Sequence, residues 1–138
     1  MQRITRNLGW ILLSVLLAPS PSEARCLYYS PSVVTLVGEV STKRVPGPPG
    51  YHSLRQGDLP ETIFLLLLDD PICVYGDPDS STNVKTHRNV TEVQLMIPSE
   101  KLTNRIGERI RFTGQLGSAR SGGHRTPVVL YVDSLRGG

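Results

Sequence analysis

The side chains whose types could do chemistry are His52, His87 and His124, Cys26 and Cys73, and two short acidic groups. The histidines stand far apart. Neither a His-Glu-x-x-His nor a Cys-x-x-Cys occurs, so the ligand set of a zinc site is missing. Nothing resembles a nucleophile elbow, which leaves a Ser-His-Asp hydrolase without its usual anchor. Asp69 and Asp70 are adjacent, and neighbours on an extended chain point to opposite faces, so the two carboxylates do not obviously share a site. Asp77 and Asp79 can aim the same way at a weak cation, but Gly76-Asp77-Pro78-Asp79-Ser80 is also the composition of a plain turn. Asn89-Val90-Thr91 is formally a glycosylation sequon, with meaning only in a eukaryotic host. These residues predict no enzyme, no metal and no cofactor.

Binding chemistry is better represented than catalysis. The segment 41–60 (STKRVPGPPGYHSLRQGDLP) presents Tyr51, His52, Arg55 and Asp58 on a proline-stiffened frame. The segment 117–126 (GSARSGGHRT) presents Arg120, His124 and Arg125 on glycine, which lets a backbone approach a partner closely. Both read as loops, because their Pro and Gly content suits no regular element. Together these residues form a candidate ligand or partner edge, able to meet an anionic group.

The elements that would carry these loops are strands. Val33–Val40 alternates in twos, with Val34, Leu36 and Val40 on one face and Thr35 and Glu39 on the other. Glu61–Leu68 (ETIFLLLL) is a nearly continuous apolar run, the pattern of a central strand buried on both faces. A turn is expected at Asp69-Asp70-Pro71, before Ile72-Cys73-Val74, and a loop over 76–89. Val90–Ile97 alternates again, with Val93, Leu95 and Ile97 inward. Glu108–Leu116 turns Ile110, Phe112 and Leu116 inward and Arg109, Arg111, Thr113 and Gln115 outward, and Pro127–Val132 is the last strand. Between the third and fourth of these strands, Ser99 as cap, Leu102 and Ile106 four apart and Gly107 as stop predict one short helix. That order is the layout of a mostly β, five-stranded OB-fold-like barrel, with Gly38 and Gly114 as bend points. A generic small β-sandwich with the same strand count is the competing fold. In an OB-fold the two loops named above flank the ligand face.

Residues 1–24 read as a cleaved export signal. Arg3 and Arg6 are followed by the apolar run Leu8–Ala18 and by Ser22-Glu23-Ala24, small residues at the positions a signal peptidase reads. The apolar run is too short to cross a bilayer core of roughly 30 Å. Arg25, directly before Cys26, is not the small residue that lipid attachment to that cysteine requires. Residues 25–138 are then a single domain, expected in the periplasm or secreted, off the membrane after cleavage and monomeric. An even pair of cysteines in an oxidising compartment predicts a Cys26–Cys73 disulfide.

Cleavage removes Arg3, Arg6 and Glu23, lowering the formal charge from +3 to +2. The sign is uneven, with 4 basic against 7 acidic residues over 25–81 and 9 against 4 over 82–138. A charge of +2 is too mild for a nucleic-acid binder. Five Tyr and two Phe, with Phe64 and Phe112 read as core, also leave few stacking platforms.

The ensemble of Cys26, Val34-Thr35-Leu36, Pro46-Gly47-Pro48-Pro49, Gly57-Asp58 with Glu61, Pro71-Ile72-Cys73-Val74, Val93-Gln94-Leu95 and Thr126-Pro127-Val128 resembles domain-of-unknown-function family 4431, small secreted bacterial proteins. The resemblance covers nearly the whole chain after residue 24 and implies a bacterial envelope protein without an assigned activity. Where that pattern has a His-rich turn before the Thr-Pro, this chain has only Gly122-Gly123-His124-Arg125, which argues against a multi-histidine metal site. The expected role is a non-catalytic binding module for an envelope small molecule or saccharide. The alternative is a protein-interaction, inhibitor or immunity-type protein acting on an envelope-targeted enzyme.

Overall fold

The computed structural model describes residues 15–17 and 25–137, so the expected export segment lies, apart from Val15, Leu16 and Leu17, outside the described residues. The chain is mostly β. One sheet contains β1 (Arg25–Tyr28), β2 (Val33–Pro46), β3 (Pro60–Tyr75), β4 (His87–Met96), β5 (Arg109–Ser118) and β6 (Val128–Gly137). The strand order is β1-β3-β2-β5-β6-β4, and an additional β3–β4 ladder joins the far end back to β3. Strands β3, β2, β5, β6 and β4 therefore form a closed circuit of ladders, antiparallel throughout except for the parallel β4–β6 pair.

Period-two patterning explains the circuit. Val34, Leu36 and Val40 of β2, Leu66 of β3, Val93 and Leu95 of β4, Ile110, Phe112 and Leu116 of β5 and Leu130 of β6 share one core. Arg109 and Arg111 stand exposed on the opposite face of β5. β2 pairs with β5 over Val33–Glu39 and with β3 over Gly38–Pro46, so it changes partner at Gly38. There β2 passes so close to β3 that a Cβ would run into the Leu67 carbonyl, and only glycine fits. The register between β5 and β6 shifts at Gly114, the second expected bend point.

Several expectations need correction. β1 is a sixth strand, paired in parallel with the end of β3 in the register Cys26↔Cys73, where the two cysteines form the expected disulfide. β2 continues through residues 41–46, because Ser41–Pro46 find partners on Pro60–Leu65; the true loop begins at Gly47. Asp69-Asp70-Pro71 is not a turn. β3 runs straight through it, changing edge partner from β2 to β1, with register shifts against β4 absorbing the irregularity. β3 is not buried on both faces throughout, since Leu67 is 38% exposed.

The expected short helix is replaced by 3-10 turns at Ser99–Lys101 and Thr103–Arg105, and a third such turn, Leu54–Gln56, lies in the β2–β3 loop. The Ser99 carbonyl accepts from the Leu102 N–H at 2.9 Å and from the Thr103 hydroxyl at 2.8 Å, so the bonding an α-helix would route to residue 103 is intercepted. Pro98, not Ser99, takes the cap position. Leu102 is fully buried against the core, while Ile106, its expected partner, is 51% exposed.

Candidate functional site

The two loops predicted over 41–60 and 117–126 are residues 47–59 and 119–127 in the structure, and they are brought together on the outside of the sheet. Gln94 of β4 stands beside Leu65 of β3 and Val129 of β6, and its position is roofed rather than open. Its side-chain oxygen accepts from the Arg125 N–H at 2.6 Å, and its amide nitrogen donates to the Gly123 carbonyl at 2.9 Å. Val45, Ile63 and Leu65 form a second, smaller apolar cluster on this outward face. Alternation alone puts Gln94 in solvent, and the only signal for its role is a polar residue between Val93 and Leu95 near a Gly-rich loop.

Arg125 ties one loop to the other. Its guanidinium donates to the Pro46 carbonyl at 2.5 Å, to the Tyr51 carbonyl at 3.2 Å and to the Gly122 carbonyl at 3.0 Å. It also lies 5.8 Å from the centre of the Tyr51 ring. Tyr51 adopts a left-handed backbone (φ 60), held by its N–H to the Gly47 carbonyl. Gly122 rests on that ring so closely that a Cβ would sit 2.7 Å from it. The sequence therefore places glycine where the second loop must touch the first.

Asp58 organises the first loop from within. Its carboxylate accepts from the N–H groups of Gly50 at 2.7 Å, His52 at 2.8 Å and Ser53 at 2.8 Å. These donors, Ser53 foremost, then His52 and Gly50, hold the carboxyl below its ordinary pKa against the opposing push of burial. Asp58 and Arg125 are thus committed to the loops' own structure. His124 accepts the Arg120 N–H on Nδ1 at 2.9 Å and meets the Tyr131 ring edge-on. Of the seven predicted residues, His52, Arg55 and Arg120 present side chains with no hydrogen bond or ion pair among the described residues, and all three are exposed.

A cleft that no sequence motif marks lies elsewhere in the fold. The β2–β3 ladder stops at Gly38↔Leu68; beyond it, β2 stays with β5 while β3 takes β1 as its partner. The two halves part around a cavity of about 730 Å³. Leu27, Val34, Leu36, Leu68 and Ile72 make its apolar lining, and Thr35, Asp69, Asp70, Asn89 and Arg109 make its polar one. Arg109 Nε donates to Asp69 Oδ2 at 2.7 Å, with a second bond from its Nη2, so that pair is internally neutralised. Asp70 is exposed and has no cation against it among the described residues. Asn89 is held at φ 53. Both acidic neighbours reach this cleft because Asp69-Asp70 lies where β3 changes partner, a long-range event that local sequence does not signal.

Asp77, considered above as a cation ligand, caps its own turn by accepting the Asp79 N–H at 2.9 Å. Among the described residues no three His, Cys, Asp or Glu side chains are grouped to hold a metal, and no helix is long and apolar enough to cross a membrane. Compared with known proteins, the chain matches no family model and no curated relative.

Proposed function

We propose that this chain is a non-catalytic binding module of the bacterial envelope that takes a hydroxyl-rich small molecule, a saccharide in the first instance, in the cleft beside Gly38. The single observation that carries the reading is the cavity of about 730 Å³ with an apolar floor, where Asp70 and Asn89 stand without a side-chain partner among the described residues and the Thr35 hydroxyl is bonded only to that of Thr113. Small-ligand sites commonly enclose roughly 300–1,000 Å³ and combine apolar walls with a few placed polar groups. A carboxylate and an amide lining one cleft accept from, and in the amide's case also donate to, a ligand's hydroxyls, while the apolar floor takes the C–H face of a sugar ring.

The fold reading is an OB-fold-like barrel, resting on the closed circuit of ladders and on the short turns between β4 and β5. The kinship with family 4431 rests on the residue ensemble quoted above. Export rests on the pattern of residues 1–24 and on a disulfide of the kind that persists in oxidising compartments. The protein acts as a monomer, without a cofactor or nucleic acid.

The second reading, a protein-interaction or inhibitor role, is favoured by a different observation. The first loop is tied down by Asp58 and Arg125, yet shows Leu54 at 47% and Leu59 at 64% exposure beside the exposed Arg55 and His52. A preorganised loop with exposed leucines can enter a partner's cleft at low ordering cost. The test is a thermal-shift screen of cell-wall saccharides on the wild type, Asp70→Ala and a Leu54→Ser, Leu59→Ser pair. Saccharide stabilisation lost only in Asp70→Ala supports the cleft. No response to any saccharide, with a protein captured by the wild type but not by the leucine pair, supports the second reading and overturns the first.

A further inference from the structure

On the far side of β2 from the cleft, two arginines face each other without a counter-charge. Arg111 of β5 and Arg136 of β6 are direct partners in the antiparallel ladder, and both are exposed on the outer face. Directly opposed residues place their Cβ atoms roughly 5 Å apart, and like charges at that spacing repel. Arg109, two positions back on β5, is neutralised by Asp69, whereas neither Arg111 nor Arg136 makes an ion pair among the described residues. Glu39 stands opposite Arg109 rather than Arg111, and Asp133, exposed at the register shift of β6 beside Ser134, makes no ion pair with either arginine.

The next pair along the same face completes a cradle. Thr113 is opposite Ser134 on one side and Thr35 on the other, and the two threonine hydroxyls lie 3.2 Å apart. These five side chains line an open depression of about 210 Å³. That is space for about seven waters at roughly 30 Å³ each, enough for one tetrahedral ion with part of its hydration. Two guanidinia supply forked charge-assisted donors; Ser134 supplies a rotatable one, and the Thr35–Thr113 pair, which spends one proton on its own bond, supplies a second.

We propose that this cradle is an oxyanion site, taking a phosphate or sulfate group either as the free ion or as an ester, and that the bound anion relieves the Arg111–Arg136 repulsion. The site is independent of the cleft reading, although Thr35 borders both concavities.

The experiment is an NMR titration of the oxidised protein with inorganic phosphate, inorganic sulfate and glycerol 3-phosphate, against sodium chloride at matched ionic strength. The proposal expects saturable shifts at the amides of Thr35, Thr113 and Ser134, with a dissociation constant on the order of a millimolar. Each of Arg111→Gln and Arg136→Gln, with spectra otherwise intact, weakens binding about tenfold. Tighter binding of glycerol 3-phosphate than of phosphate identifies an ester as the natural group, and the reverse order a free ion. In parallel, phosphate raises the melting temperature of the wild type more than that of Arg136→Gln. Shifts that chloride reproduces, shifts centred on the 119–127 loop, or an equal thermal response in wild type and variant would each overturn the proposal.

Discussion

Replacing Arg125 by Met tests whether the two loops are one mechanical unit. The substitution keeps an apolar stem and removes the guanidinium from the carbonyls of Pro46, Tyr51 and Gly122. The Pro46 and Tyr51 bonds are part-buried and the Gly122 bond is exposed. Charge-assisted bonds contribute about 1.5–3 kcal/mol when well enclosed; half-exposed ones are discounted to about 1 kcal/mol each, and the exposed bond to near zero. The contact with the Tyr51 ring adds about 0.5 kcal/mol. The expected loss is about 2.5 kcal/mol, or a fall in melting temperature of roughly 10 °C for a domain of this size. Arg125→Lys should recover less than half, because one ammonium cannot span both the Pro46 and Tyr51 carbonyls. Urea unfolding gives the free energy, and hydrogen exchange at Tyr51 and His124 reports the loops directly. A loss below about 0.5 kcal/mol with unchanged exchange protection would refute the clamp.

Three further outcomes follow from the same geometry. Asp58 has its folded pKa below the ordinary value, so its contribution is fully present above the unfolded pKa of about 3.9 and is lost as pH falls through the folded one. Urea unfolding of wild type and Asp58→Asn should therefore differ most above about pH 5 and converge toward pH 2; a gap that widens in acid contradicts the assignment. Gly38→Ala drives a Cβ into the Leu67 carbonyl and should destabilise by about 3 kcal/mol, measured by the same unfolding assay. Reduction of Cys26–Cys73, which closes a separation of 47 residues, should cost about 4 kcal/mol and raise the intact mass by about 2 Da.

The parts of this fold that are local in sequence are legible there. The inward sets of β2, β4 and β5 follow from period-two patterning, because each strand has a single buried face. The Cys26–Cys73 pairing follows from cysteine arithmetic once an oxidising compartment is assumed. What sequence missed depends on partners distant in the chain. Residues 41–46 look like loop because prolines and glycines crowd the stretch after them, yet β3 supplies their ladder. Asp69-Asp70-Pro71 looks like a turn because turn chemistry and a change of strand partner use the same residue types. The polar lining of the cleft is assembled only when β2 and β3 part, and no neighbour-to-neighbour spacing encodes that event. Tyr51, His52, Arg55, Asp58, Arg120, His124 and Arg125 were legible as two loop groups. Which of them hold the loops and which face outward required the hydrogen bonds of Asp58 and Arg125.

The most direct measurement is backbone NMR mapping of the oxidised protein against a panel of cell-wall saccharides. The account predicts saturable shifts centred on Thr35, Asp70 and Asn89, the polar lining of the cleft, and their loss in Asp70→Ala. Shifts confined to His52, Arg55 and Arg120, or no saturable shift with any saccharide, would contradict it.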